Sequence, residues 1–498
     1  MSEDCLYLSV WVPETQETRL SVMVWLTVGR GQEDKGGEEL SAEGNLVVVK
    51  VESRRGALGF LATQEKSVPG NAGMLDQIMA LRWIQTNIDL FKGNPEKVTL
   101  LGYGKGADLS SLHLVSPLSC SLYRNLILQS GSTFTHLISR HQVYREYIHS
   151  PRLKIPGVYR EYYYKHQADE RARSLASLLN CATLDDKTML SCLRSVDAQV
   201  LTNQEFSAVN LTLHADPFPP IIDGLFAVEN PGSLVEENLF KKSNLLIGTN
   251  SNEVLKGLME FLPELNGDSV KLELSSLQLD SALNRIFPRY PESVLSLIKF
   301  QYGLFEENSF ARIQNDPRRF WGLQAAVADK EVVCGVNKLA KTVSNDGNKV
   351  FRYFFDNDAS DLESGKEMNL LFGEPLVSLG RRNSDTEINL SKKMIKFWTN
   401  FAKFDDPNGD MGSGEERVWP EFSAPNWSYV NVNTENLEVG EDLRGRVCVF
   451  WEQILPGFLP RTESELKERS GRNSDSSCRA VKSKANLYFP GYRPVNRL

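Results

Sequence analysis

A mostly parallel sheet with helices on both faces, an α/β architecture, is what this chain of 498 residues predicts. Three observations carry that expectation. Short continuous apolar runs recur along the chain, they alternate with stretches whose apolar residues repeat at helical spacing, and one run ends in a glycine-rich turn that opens a helix. Strands apolar at every position suit a parallel sheet buried on both faces, whereas a half-exposed antiparallel sheet would show strict alternation.

Cys5-Leu6-Tyr7-Leu8-Ser9-Val10-Trp11-Val12 is strand-like, and Val22-Met23-Val24-Trp25-Leu26 and Leu46-Val47-Val48-Val49 are buried strands. From Met74 to Ile88 the apolar residues Leu75, Ile78, Met79, Leu81, Trp83, Ile84 and Ile88 return at helical spacing. Asn94-Pro95 ends that segment, and Val98-Thr99-Leu100-Leu101 is the next strand. A helix from Ala107 to Val115 and a strand from Asn125 to Gln129 continue the alternation. Farther along, Leu245-Leu246-Ile247 and Val350 to Phe355 are strands and Ser391 to Phe404 is a long helix. No internal repeat of solenoid scale occurs.

Composition narrows the class. With 41% hydrophobic, 9% aromatic and 24% charged residues the chain is globular rather than disordered. Lys plus Arg number 56 against 64 Asp plus Glu, a formal net charge of −8, which argues against a dedicated nucleic-acid binder. No apolar run approaches the roughly 18 residues that cross a bilayer. The start, Met1-Ser2-Glu3-Asp4, lacks the pattern of a signal peptide, so either the protein is cytosolic or the chain lacks its beginning. The seven cysteines include no Cys-x-x-Cys and no Cys/His cluster with zinc spacing, so neither a metal nor a cofactor is expected. Their odd count leaves at least one thiol without an intrachain partner.

The chemistry belongs where a buried strand turns sharply into a helix, at Gly102-Tyr103-Gly104-Lys105-Gly106-Ala107. Those residues formally satisfy the dinucleotide turn G-x-G-x-x-G/A, but that turn wants an acid about 20 residues on for the ribose. The next strand ends Leu128-Gln129-Ser130 with no acid near. The other reading is a nucleophile elbow, G-x-S-x-G, whose serine is replaced by Gly104.

The surroundings favour the elbow. Glu3-Asp4-Cys5-Leu6-Tyr7-Leu8, Gly56-Ala57-Leu58-Gly59-Phe60-Leu61, Gly70-Asn71-Ala72-Gly73-Met74-Leu75-Asp76-Gln77 and Ala80-Leu81-Arg82-Trp83-Ile84-Gln85-Thr86-Asn87-Ile88 closely resemble the type-B carboxylesterase/cholinesterase family. So do Gly93-Asn94-Pro95-x-x-Val98-Thr99-Leu100 and Gln129-Ser130-Gly131-Ser132. The resemblance is nearest to the cholinesterase branch and runs from Asp4 to about Pro456. It implies an α/β-hydrolase fold over residues 1–461 whose N-terminal part, with the secretion signal, lies upstream of Met1. A polar basic tail over 462–498, with Cys478, would follow.

The resemblance also implies pairing of Cys181 with Cys192 and of Cys334 with Cys448, bridges that persist in an oxidising compartment. Closing the longer loop stabilises by about 4–5 kcal/mol in the chain-entropy view. Cys5 would pair with a cysteine upstream of Met1. The sequons Asn210-Leu211-Thr212, Asn389-Leu390-Ser391 and Asn426-Trp427-Ser428 suit the same secreted setting.

An esterase of this kind needs an elbow nucleophile, a base oriented by an acid, and backbone donors for the oxyanion. The resemblance sets Gly104 at the nucleophile, Glu253 of Gly248-Thr249-Asn250-Ser251-Asn252-Glu253 at the acid, and Ser364, nine residues before Gly373, at the base. The oxyanion positions are Val28, Gly29, Arg30 and Lys105. No catalytic residue is therefore expected. Independently, all six histidines precede residue 215, while this fold takes its histidine after the acid. Gly104 would relieve the elbow's strain, and Glu253 would be held by hydrogen bonds or by Lys105 or Arg30.

Between Ser132 and Cys181 the chain is longer than the family pattern, with Val143-Tyr144-Arg145-Glu146-Tyr147 echoed by Val158-Tyr159-Arg160-Glu161-Tyr162. It is a partner surface, a duplication in a solvated loop, or an error in the gene model. Non-catalytic members of the family, such as neuroligins, neurotactin, gliotactin and the thyroglobulin C-terminal domain, act in adhesion, partner binding or protein maturation. The resemblance thus implies an extracellular recognition protein with a protein partner. A homodimer through Ser391 to Phe404 and the segment near Trp451 is a further expectation. A hydrolase with displaced groups, a carrier of small ligands in the old gorge, and a truncated product that never folds remain as alternatives.

Overall fold

The computed structural model describes residues 3–27, 35–63, 68–135, 165–208, 217–262, 272–288, 290–305, 315–356, 365–377, 384–410, 418–433 and 437–459. Its strands, in chain order among the described residues, are β1 (Leu8–Trp11), β2 (Leu20–Thr27), β3 (Val47–Glu52), β4 (Gly93–Tyr103), β5 (Asn125–Gln129), β6 (Leu245–Asn250), β7 (Val350–Phe355), β8 (Ser428–Val432) and β9 (Leu437–Glu441). They form one sheet in the order β1-β3-β2-β4-β5-β6-β7-β8-β9. The inner pairings, from β3·β2 through β7·β8, are parallel, and only β1·β3 and β8·β9 at the two edges are antiparallel.

The continuous apolar runs are explained by helices on both sides of the sheet. On β2, Val22, Val24 and Leu26 point into one core with Met74, Ile78, Leu81, Leu109 and Leu339, whereas Met23 and Trp25 point into another with Met394, Trp398 and Phe401. Helices Ala72–Asn87, Lys105–Leu112 and Cys334–Asn345 cover the first face; Lys366–Leu371 and Asp385–Phe404 cover the second. A further helical layer, built on Leu258, Leu283, Ile298, Phe320 and Leu323, has its own core.

The helix Asp385–Phe404 starts six residues ahead of its expected beginning. Ser384 caps it: Glu387 N donates to Ser384 Oγ and Ser384 N to Glu387 Oε2, each at 3.3 Å. Its stripe of Leu390, Met394, Ile395, Trp398 and Phe401 is buried in this chain's own core, so a second copy would meet the polar side of that helix. Trp451 is likewise buried, its Nε1 donating to Tyr302 Oη at 2.7 Å.

The strand order reverses at β2: the chain goes outward to β3 and returns on the other side of β2 as β4. The crevice outside the carboxyl ends of such a pair is where open α/β sheets put their ligands. β4 ends there, at Tyr103.

Candidate functional site at the β4 elbow

Between the end of β4 and the helix Lys105–Leu112 stands one residue, Gly104, which carries the whole reversal. Its φ of 53° and ψ of −121° lie where L side chains enter only with strain and glycine enters freely. The N–H of Gly104 donates to Gln129 O at 2.8 Å, tying the turn to β5, and its carbonyl accepts from Ala107 N at 2.9 Å and Asp108 N at 3.1 Å. A Cβ added at Gly104 would meet nothing within 4 Å. The turn beneath is narrow, because a Cβ at Gly102 would come within 2.4 Å of Gly106 O. The elbow therefore keeps its backbone shape and the space for a side chain, and has no side chain in it.

Glu253 lies three residues beyond the end of β6. Its Oε1 accepts from Asn250 N at 2.8 Å, the Ser130 hydroxyl donates to the same carboxyl, and Gln324 Nε2 holds its backbone carbonyl at 2.8 Å. Burial pushes this carboxyl up to about 7, against the pull of Ser130 and the Asn250 N–H. Of the partners expected for Glu253, hydrogen-bond donors thus hold it. Ser130 is itself held at φ 60°, its N–H donating to Gly248 O at 2.9 Å.

Two further buried acids were not picked out from the sequence. Asp108 sits one turn into the elbow helix, where Oδ1 accepts from Ser132 N at 2.9 Å and from Thr135 Oγ1. Burial pushes it up to about 7, while the half-buried Lys105 draws it down and Glu253 pushes it up. Glu367, on the helix Lys366–Leu371, accepts from Gln129 Nε2 at 2.5 Å and from Tyr353 Oη, and burial raises it as well. Beside them Arg352, fully buried in β7, donates to Thr249 Oγ1 at 2.9 Å and Asn337 Oδ1 at 3.2 Å, and burial lowers it to about 10. A charged residue inside the apolar run Val350 to Phe355 was the sequence signal for this cluster. Asp108 carried none, since an acid in a helix's first turn is ordinary on any exposed helix.

His113 is the one histidine whose side chain is described, and it is a core residue. Its ring nitrogens contact Ser119 Oγ at 2.7 Å and Gln77 Oε1 at 2.9 Å, and burial lowers it to about 3. Val28, Gly29, Arg30 and Ser364 lie outside the described residues, as do Asn210, the Tyr-rich segment 143–164 and the tail 462–498 with Cys478. Asn389 and Asn426 are exposed. Cys181 is bonded to Cys192 and Cys334 to Cys448, with Cα atoms 5.5 Å and 5.1 Å apart. No described group of three His, Cys, Asp or Glu side chains is placed to hold a metal ion, and no described helix is long and apolar enough to cross a membrane.

A mostly parallel nine-stranded sheet with helices on both faces and a strand-to-helix elbow at the reversal of strand order defines an α/β-hydrolase fold. The carboxylesterase family model matches residues 1–151 and 156–451, and the chain belongs to that family. It is 30% identical to mouse cholinesterase over 491 residues, covering 94% of this chain and 76% of that protein. Similarity to the acetylcholinesterases of Bungarus fasciatus and Danio rerio is also at 30%, covering 93% of this chain in both cases and 74% and 76% of those proteins.

Proposed function

We propose that this chain is a non-catalytic member of the carboxylesterase family, nearest to the cholinesterases, acting in extracellular recognition through a protein partner. One observation carries the reading: the elbow residue is Gly104, with open space where a nucleophile's side chain would project. A glycine supplies neither nucleophile nor proton, and a triad lacking its serine or its histidine loses most of its rate, because the members act as a unit. The absence of any histidine after Glu253 supports the same conclusion. The two cystines support an extracellular setting. As a surface for a partner or a second copy, Phe300 on the helix Glu292–Gln301, Phe305 four residues beyond it, Ile454 just before the segment Leu455–Phe458 and Phe458 at its end are exposed.

The hydrolysis of acetyl- and butyryl-thioesters and of nitrophenyl esters tests this directly. The secreted protein is expected to show no turnover above buffer, and a Gly104→Ser/Ser364→His double variant to gain measurable turnover. Turnover in the unmodified protein at a rate matching an esterase would overturn the reading and favour displaced catalytic groups. The open space at Gly104 favours a second reading, a carrier of a small ester or amine, which predicts saturable binding of such a compound without hydrolysis.

A further inference from the structure

The residues of the sequon Asn389-Leu390-Ser391 take successive positions on the helix Asp385–Phe404, and the helix turns them to different sides. Leu390 is buried in the core it shares with Leu370 and Met394, and Ser391 is fully buried, its hydroxyl donating to Leu370 O at 2.6 Å. Asn389 is exposed. Lys392, Lys393 and Lys396, at the i+3, i+4 and i+7 positions, are exposed too, and such spacing puts all four residues on one face. Helical side chains lean toward the N-terminus, so Lys392 and Lys393 lie over the turn that carries Asn389.

Exposure is what a bulky, hydrophilic modification asks of its acceptor in a folded protein. Transfer also uses the hydroxyl two residues on, which is why the sequon ends in Ser or Thr. That of Ser391 is shut away against Leu370 O, so transfer has to precede the packing of this helix onto Lys366–Leu371. In that step Asn389 Nδ2 loses a proton and bonds to C1 of a lipid-linked oligosaccharide, while the bond from C1 to the lipid pyrophosphate breaks and the pyrophosphate leaves. A contact between two copies about a two-fold axis uses the same patch twice. A copy centred here would set Lys392, Lys393 and Lys396 against their own counterparts, with the modified amide between them. We propose that Asn389 carries an N-linked glycan that covers the lysine face of the helix Asp385–Phe404 and bars a second copy or a protein partner from it. This rests on the extracellular reading, and it leaves recognition to other surfaces, such as that of Phe300 and Phe458 in another layer of the molecule.

The test uses the whole protein, recovered from the medium or the cells that express it. Peptide N-glycosidase F in heavy-oxygen water leaves a labelled aspartate wherever an asparagine was modified. Label at position 389 is expected in most chains and is lost in Asn389→Gln. Brief acetylation then reads the cover: Lys392, Lys393 and Lys396 are expected to react faster in the variant, while Lys187, exposed on the separate helix Asp186–Ser195, is unchanged. Should the variant fail to fold, removal of glycans from the folded parent supplies the same comparison. Position 389 unlabelled, with Cys181–Cys192 and Cys334–Cys448 closed in the same digest, overturns the inference and leaves the extracellular reading standing. Open cysteines with no labelled sequon overturn both. Equal lysine reactivity with and without the glycan overturns the cover even where the label is present.

Discussion

The elbow at Gly104 and the acid corner at Glu253 are the two ends of what would be one catalytic relay, and they have kept opposite things. The elbow has its backbone: the left-handed φ, the bond to β5 and the narrow turn beneath. Its functional group is absent. The acid corner has its functional group with a full set of donors, Asn250 N and Ser130, although no described imidazole stands against it. The difference follows from what each side chain does for the fold. A hydroxyl projecting into open space at position 104 stabilises nothing, and its removal leaves no partner unmet. Removing Glu253 would strand a buried N–H and a buried hydroxyl. A side chain that would serve only chemistry costs the fold nothing by its absence, whereas one that also satisfies buried donors does cost it.

Three substitutions probe that contrast. The largest effect is expected from Glu253→Ala, a destabilisation of about 3–5 kcal/mol in denaturant unfolding from unmet donors and a cavity. A loss below about 1 kcal/mol would mean that Glu253 is no more embedded than the elbow. Next comes Asp108→Asn, read as a function of pH. Asp108 stands at about 7 in the folded chain against about 4 unfolded. A raised acid stabilises the fold at low pH, and that contribution is lost as pH rises from about 4 to about 7. The asparagine variant should therefore gain on the parent across that window, by on the order of a few kcal/mol, and hold its gain above it. Parallel pH curves would show that burial does not hold Asp108 neutral. The smallest effect belongs to Gly104→Ser: about 1–2 kcal/mol of lost stability, from φ alone, since the space is already there. A loss as large as that of Glu253→Ala would erase the distinction between the two ends.

Much of the sheet was legible in the sequence, because strands buried on both faces are apolar at every position. Asn125–Gln129 and Val350–Phe355 begin and end at the residues expected of them. β8 and β9 were not read, since Ser428–Val432 and Leu437–Glu441 mix polar residues into short, partly exposed edge strands. β4 starts at Gly93, ahead of Val98, because Pro95 looks like a breaker yet is tolerated in the first residues of a strand. The helix Asp385–Phe404 was read from Ser391 because its first residues, Asp385, Thr386 and Glu387, are polar and the capping box of Ser384 and Glu387 is what marks its start. At the site, the Gly104 turn and Glu253 were found through motifs of local sequence. Asp108, Arg352 and Glu367 escaped because their meaning is burial, and burial of a charged residue is decided by elements far apart in the chain.

The bond between Cys334 and Cys448 has a mechanical side. It joins positions 114 residues apart and encloses β7, β8, β9 and Glu367 in a covalent loop. Tension pulling the two ends of the chain apart enters at Cys448, crosses to Cys334 and bypasses everything between them. Cys334, where the load leaves the bond, is buried in the core of the further helical layer. Half of the polar cluster behind the elbow, Arg352 and Glu367, is thereby shielded from force along the backbone.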